Sequence, residues 1–216
     1  MPKISRLLVE LSPDAQDRIR AVVAACPRFS ITAGTTRSAV ELPHARLLVV
    51  EEGTAFVAAG RNGRRRALVA IVGPGGVLAP PAVGEELGAV VSATITAVTT
   101  EALAALTRDP EAAALVLDAL VDAIRDREET AACLARSPAN ERVRGKLLQL
   151  ARSHGKVTEN GIVIDLPLKH ELLAEMIGST RETVTWALQE LAREGFATRD
   201  GRVYRLDVAP AELAGR

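Results

Sequence analysis

The chain has 216 residues, 48% of them hydrophobic, and its 27 basic side chains balance 27 acidic ones. That length accommodates one large or two small domains with a real core, and the apolar content excludes a mostly disordered polymer. Zero net charge excludes a global basic field, so any binding of nucleic acid has to come from local placement of charge.

The chain opens on Met-Pro-Lys-Ile-Ser, which lacks the apolar stretch and small-residue cleavage site of a signal peptide. No uncharged apolar run later reaches the roughly 18 residues that span a bilayer. A cytoplasmic protein without a membrane partner is therefore expected. Residues 13–26 predict a short amphipathic helix from Pro13, with Ile19, Val22 and Val23 on its apolar face. From about 28 to 100, short β-branched runs alternate with Gly and Pro. Two apolar runs flank Asn62-Gly63, a strong hairpin signal, and "ATITAVT" at 93–99 alternates as a half-buried strand does. Strands at this spacing predict an antiparallel barrel or jelly roll.

Helix returns at Asp109-Pro110, a capping residue followed by proline at the first helical position. Residues 111–135 carry almost no breaker. Leu117, Leu120, Ile124, Ala131 and Leu134 form a three-four stripe, with Arg127 filling its gap. The stripe packs either on its own β domain or on a second copy in a two-stranded coiled coil. The second is favoured, because the helix outreaches a small barrel. Ser137-Pro138 ends the helix and makes a hinge. A helix over 139–153, a strand in "GIVIDLPL", a helix in "KHELLAEMIG", a further helix from about 180 and a hairpin turning at Asp200-Gly201 complete the order. It fits a winged helix-turn-helix.

The stretch "MIGSTRETVTWALQEL" at 176–191 carries the chemistry. Ser179 is placed as an N-cap, with Glu182 three positions on completing a capping box. Leu172, Leu173, Met176 and Ile177 are expected to pack against Val184, Leu188 and Leu191. That packing leaves Thr180, Arg181, Glu182 and Thr185 at an exposed helix start, where a recognition helix meets base edges in a major groove. Arginine takes both acceptors of guanine, and a carboxylate accepts from the cytosine amino group. Thr180 and Thr183 suit phosphate contacts beside the helix dipole. On these residues alone, an ordinary capped surface helix with an adjacent Arg-Glu pair stands equally open.

The segment "LPLKHELLAEMIGSTRETVTWALQELAREGFATRDGRVYRL" closely resembles the C-terminal DNA-binding domain of the cyclic-AMP receptor protein/fumarate–nitrate regulator (Crp/Fnr) family. The resemblance is strong over about 139–206, and the rest of the chain follows in order only. It implies an α+β fold: an N-terminal β-roll (jelly-roll, cyclic-nucleotide-binding-like) sensor domain at 1–108, a dimerisation helix at 109–137 and a winged helix-turn-helix at 138–216. It implies Arg181 and Glu182 as base readers and Ser179, Thr180 and Thr183 as phosphate contacts. Lys169, Thr185 and Trp186 complete the DNA-facing set. Trp186 departs from the family, whose best-studied members carry arginine there; it either packs in the domain or stacks on the sugar-phosphate edge. The implied partners are a pseudo-palindromic duplex operator, a second copy of the chain and RNA polymerase.

The sensor departs further. By resemblance, the slots that hold a cyclic-nucleotide phosphate fall on Ala79-Pro80 and Val91, and the adenine-reading pair falls on Arg127-Glu128. A cyclic phosphate without a cation is a buried, unpaired charge, so cyclic AMP is not expected to be the effector, whose site stays unassigned. "GEELG" at 84–88 contains Gly-Glu but lies too near the strand to substitute without a loop shift. Cys26 and Cys133 are too far apart for an iron–sulfur cluster and read as buried thiols. His44 beside Pro43 marks a loop, not a haem ligand, and "GRRR" at 63–66 reads as a solvated hairpin tip. His44, His154 and His170 are too scattered for an oxygenase triad. No metal, cofactor or enzymatic activity is expected. The alternative function is a dimerisation or protein-interaction module whose DNA-binding domain has degenerated.

Overall fold

The computed structural model describes residues 11–60, 66–135, 138–209 and 213. They divide into two compact units, the first comprising Met1–Arg61 and Ala70–Arg127, the second Asn62–Val69 and Glu128–Arg216. The fold is α+β, with the sheet-rich half first and the helix-turn-helix last.

In the first unit, helix α1 (Pro13–Ala24) starts where the Ser12 hydroxyl accepts from the Ala15 amide, with Pro13 in the first turn. Strands β1 (Arg28–Ile31), β2 (Thr36–Ser38), β3 (Leu47–Ala59), β4 (Ala67–Val72), β5 (Val77–Leu78) and β6 (Glu85–Val98) form one sheet. Its main path runs β1-β6-β3-β4, with β2 also on β6 and β5 also on β3. This path is open, so of the two expected β architectures the closed barrel falls. The sheet turns instead through two long central strands. Three register shifts between Val50 and Ala55 break the β3–β6 ladder, and such bulges bend a strand and increase its twist. Gly53 makes this possible: its φ is +77°, and a Cβ there would lie 2.0 Å from the Ser92 carbonyl oxygen. The 62–63 turn and the "GRR" of the arginine tip, at 63–65, lie outside the described residues.

Helix α2 (Thr100–Arg108), which the residue pattern left unassigned, follows β6 directly and is capped by the Thr99 hydroxyl on the Ala102 amide. Helix α3 (Pro110–Ala135) starts as its sequence predicts: one Asp109 oxygen accepts from the amides of Glu111 and Ala112. Ile19, Val98, Leu106, Ala112 and Leu115 join these helices to the end of the sheet in one core cluster. Beyond Leu115 most of the apolar stripe of α3 is exposed. Leu117 is 62% exposed, Ile124 57%, and Val121 and Leu134 each 42%. Leu120 is half-buried, and Arg127 and Ala131 are exposed.

The second unit contains α4 (Ala139–His154), β7 (Gly155–Thr158), β8 (Gly161–Ile164), α5 (His170–Met176), α6 (Arg181–Arg193), β9 (Ala197–Asp200) and β10 (Val203–Leu206). The antiparallel order is β7-β8-β10-β9, so the expected hairpin is one half of a four-stranded sheet. Val143, Leu147 and Leu150 of α4, Leu173 of α5, Val184 and Leu191 of α6, and Tyr204 and Leu206 of β10 are buried. Lys146 is buried too. Its ammonium donates to Gln149 Oε1 at 2.6 Å and to the Thr130 hydroxyl at 3.1 Å, tying α4 to the end of α3. Pro138 is the N-cap residue of α4; Ser137, the other half of the expected hinge, lies outside the described residues. Among the described residues no helix is long and apolar enough to cross a membrane.

Candidate nucleic-acid interface

Helix α5 ends because Gly178 takes a φ of +62°, and the Ser179 amide then closes the turn on the Ala174 carbonyl at 2.9 Å. An L-residue pays a steric penalty in this conformation and glycine does not. Leu173, Ala174, Met176 and Ile177 of the first helix and turn are buried, as are Val184, Ala187, Leu188 and Leu191 of α6. This is the packing expected from the sequence, except that Leu172 is only half-buried.

The cap is shifted by one residue. Thr180, not Ser179, is the N-cap of α6: its backbone is extended (φ −100°, ψ 159°) and its hydroxyl accepts from the Thr183 amide at 3.2 Å. The Gly178-Ser179 pair is consumed in closing the turn, so helix starts one position later. Glu182 therefore stands at the second helical position, and the partner of the capping hydroxyl is Thr183, whose own hydroxyl lies 2.9 Å away. The backbone N–H at the helix start and the Thr180 hydroxyl hold the Glu182 carboxyl below its usual pKa. It stays an ionised acceptor.

Arg181, Glu182 and Trp186 are exposed, and Ser179, Thr180, Thr183 and Thr185 half-exposed, along one end of α6. The indole of Trp186 is 54% exposed, which disfavours packing in the domain. Lys169, exposed at the N-cap position of α5, lies one residue before His170. Arg181 attracts its neighbour Glu182 through charge alone, and its close ion pair is with another helix. Its Nε lies 3.0 Å from Oε1 of Glu171, in the first turn of α5.

Two residues of this cluster escaped the sequence reading. His170 Nδ1 lies 2.8 Å from the Thr185 hydroxyl, and its Nε2 lies 3.3 Å from a guanidinium nitrogen of Arg199 on β9. Burial, and then the charge of Arg199, hold the imidazole below its ordinary pKa. The Arg199 guanidinium also lies 5.8 Å from the Tyr204 ring centre. These contacts link α5, α6 and the wing, and no periodicity in the sequence marks them.

The expected ligand slots are in a different state. Val91 on β6 is 39% exposed, Ala79 is exposed, and Arg127 and Glu128 lie exposed on α3. Gly84 precedes β6 with a φ of +88°, and the Glu85 carboxylate accepts from the Ala82 amide at 2.8 Å, closing its own loop. Cys26 and Cys133 are buried free thiols. Among the described residues no group of three His, Cys, Asp or Glu side chains is placed to hold a metal ion.

Residues 141–210 match the Crp-like helix-turn-helix domain. A segment of 87 residues is 41% identical to the global nitrogen regulator of Nostoc sp., covering 40% of this chain and 39% of that protein. The chain thus matches about two-fifths of the length of that curated relative. A CRP-family transcriptional regulator from Thermus thermophilus superposes with a TM-score of 0.64 at 25% identity, over 87% of this chain and 94% of that one. A cyclic nucleotide-binding domain containing protein from Listeria monocytogenes gives 0.73 at 20% identity, over 94% and 95%, a likeness of fold. Residues 141–210 thus form a Crp-like helix-turn-helix domain by sequence, and the chain as a whole is similar in architecture to CRP-family regulators.

Proposed function

We propose that the chain is a dimeric, sequence-specific DNA-binding transcription regulator of the Crp/Fnr type that works in the cytoplasm without cyclic AMP as its switch. The observation that carries this reading is the exposed N-terminal end of α6, where Arg181, Glu182 and Trp186 face solvent, with Lys169 exposed at the N-cap position of α5. A recognition helix reads bases with this end. Arg181 supplies a bidentate donor for guanine, and the ionised Glu182 an acceptor for cytosine. Ser179, Thr180, Thr183 and Lys169 supply donors to phosphates, which fix register without carrying sequence information, while Thr185, also on the DNA-facing side, donates its hydroxyl to the Arg181 carbonyl at 2.9 Å. Trp186, with its indole in solvent, is assigned to the sugar-phosphate edge.

Dimerisation through α3 would place two such ends on one duplex. The stripe of Leu117, Leu120, Ile124, Arg127, Ala131 and Leu134 is the proposed seam, and Val121 extends it. Two half-sites about one helical turn apart, ~34 Å, then follow from the twofold axis, and the family resemblance gives each half a GTGA-like core. Domain limits of 1–108, 109–137 and 138–216 and an encounter with RNA polymerase belong to the same proposal. Selection of bound duplexes from a random pool with the full chain tests it. Recovery of a pseudo-palindrome with a guanine in each half supports the reading, and recovery of no enriched sequence refutes it in favour of a module that has lost DNA binding.

A further inference from the structure

We propose that Glu171 is a specificity-determining positioning residue: its carboxylate holds the Arg181 guanidinium from the Nε side, leaving the paired Nη groups to face guanine. This rests on the reading of Arg181 as a base reader. The motivating contact joins two helices: Arg181 Nε lies 3.0 Å from Glu171 Oε1, although the two side chains are 64% and 58% exposed.

An exposed ion pair of this kind contributes little to folding, so stability gives no account of it. Its consequence is for the conformational freedom of Arg181. A free arginine at a helix start samples many rotamers, and ordering them on the base opposes binding. Restricting them beforehand removes part of that cost for the correct base. Contact through Nε is compatible with guanine recognition, because the two Nη groups present parallel donors to O6 and N7.

The surroundings of Glu171 favour the same geometry. Glu182, adjacent to Arg181, is turned to its own helix start, accepting from backbone and from Thr180. His170, one residue before Glu171, is engaged by Thr185 and Arg199. The first turn of α5 thus contacts three residues on α6 and the wing, and Glu171 is its member that meets Arg181.

A carboxylate near the DNA also repels phosphate, and this opposition separates the proposal from a general electrostatic role. Removing Glu171 should raise affinity for unrelated DNA while lowering discrimination at one base pair. The test uses the full chain, a duplex selected from a random pool by the wild-type protein, its single-base-pair variants and an unrelated duplex, all read by fluorescence anisotropy. A bidentate arginine–guanine contact discriminates on the order of 5- to 150-fold against a wrong base. Arg181→Ala should abolish that discrimination at one position of each half-site. Glu171→Ala should lower it at least threefold at the same position and nowhere else, with equal or tighter binding of the unrelated duplex. Glu171→Gln, which keeps an acceptor at the same reach, should stay within about twofold of wild type there. Full discrimination in Glu171→Ala, or an equal loss on every sequence, would overturn the proposal while leaving the Arg181 reading intact. Unchanged discrimination in Arg181→Ala would overturn both. Melting curves of the same proteins check folding, and Glu171→Gln keeps the comparison decisive if the alanine variant is less stable.

Discussion

Leu117→Asp with Ile124→Asp is expected to convert the protein to monomers without unfolding it. The two side chains are 62% and 57% exposed within one chain, so neither carries much of the chain's own core. Burying a whole leucine or isoleucine side chain is worth about 1.5–3 kcal/mol, so covering the part left bare here gives about 1–2 kcal/mol for each. A twofold interface buries both residues from both protomers, four side chains in all. Together they contribute about 4–7 kcal/mol, three to five orders of magnitude in the dimer dissociation constant at 1.4 kcal/mol per tenfold. Four carboxylates at the seam add repulsion to that loss. Sedimentation equilibrium over a hundredfold range of concentration should find the wild type dimeric and the variant monomeric, with thermal melts confirming that the monomer is folded. A variant that is folded and still dimeric at wild-type concentrations would refute the reasoning and place the interface away from α3.

Three further outcomes are expected. Calorimetric titration with cyclic AMP or cyclic GMP should give no micromolar binding, because Val91 and Ala79-Pro80 supply no cation or capping carboxylate for the phosphate and Glu85 closes its own loop; micromolar heat would locate the cassette at Gly84-Glu85 after all. His170 binds its proton less readily in the native state than in the unfolded chain, through burial and Arg199, with Arg181 adding to this and Glu171 opposing it. Its contribution to stability is therefore present above the ordinary value of 6.5 and lost as pH falls through the lowered pKa. His170→Gln should flatten the fall in urea midpoint between about pH 7.5 and 5.5, and an unchanged slope contradicts the assignment. Gln149→Leu removes an acceptor 2.6 Å from the buried Lys146 ammonium and should cost about 1–3 kcal/mol in denaturant unfolding. Lys146→Met, which removes the buried charge itself, should cost less; the reverse order would mean that the lysine stem, not its charge, decides.

Much of the second unit was legible in the sequence because its signals are local. Gly178 stops α5, the alternation at 203–206 and the Asp200-Gly201 turn make the wing, and the spacing of Val184, Leu188 and Leu191 gives α6 its buried face. The cap was misplaced by one residue because Ser179 and Thr180 are both good capping residues, and the choice between them depends on how many residues the turn after Gly178 consumes. Strand β7 was missed because "GKVT" at 155–158 is exposed throughout and owes its conformation to pairing with β8. In the first unit, helix α2 was missed because it is only nine residues long and follows β6 with only Thr99 between them. The open sheet was not distinguished from a barrel because closure depends on pairing between strands distant in sequence. The contacts of Glu171 and His170 were invisible for the same reason: each joins residues ten to 29 positions apart.

The central claim, that Arg181 at the start of α6 reads a base, is tested most directly by comparing wild type and Arg181→Ala on a selected duplex and all its single-base-pair variants. The account predicts a loss of about 1–3 kcal/mol confined to one guanine in each half-site, with the preference there relaxed and the salt dependence little changed. A uniform loss across every sequence, with the salt slope reduced by about one, would make Arg181 a phosphate contact and contradict the account.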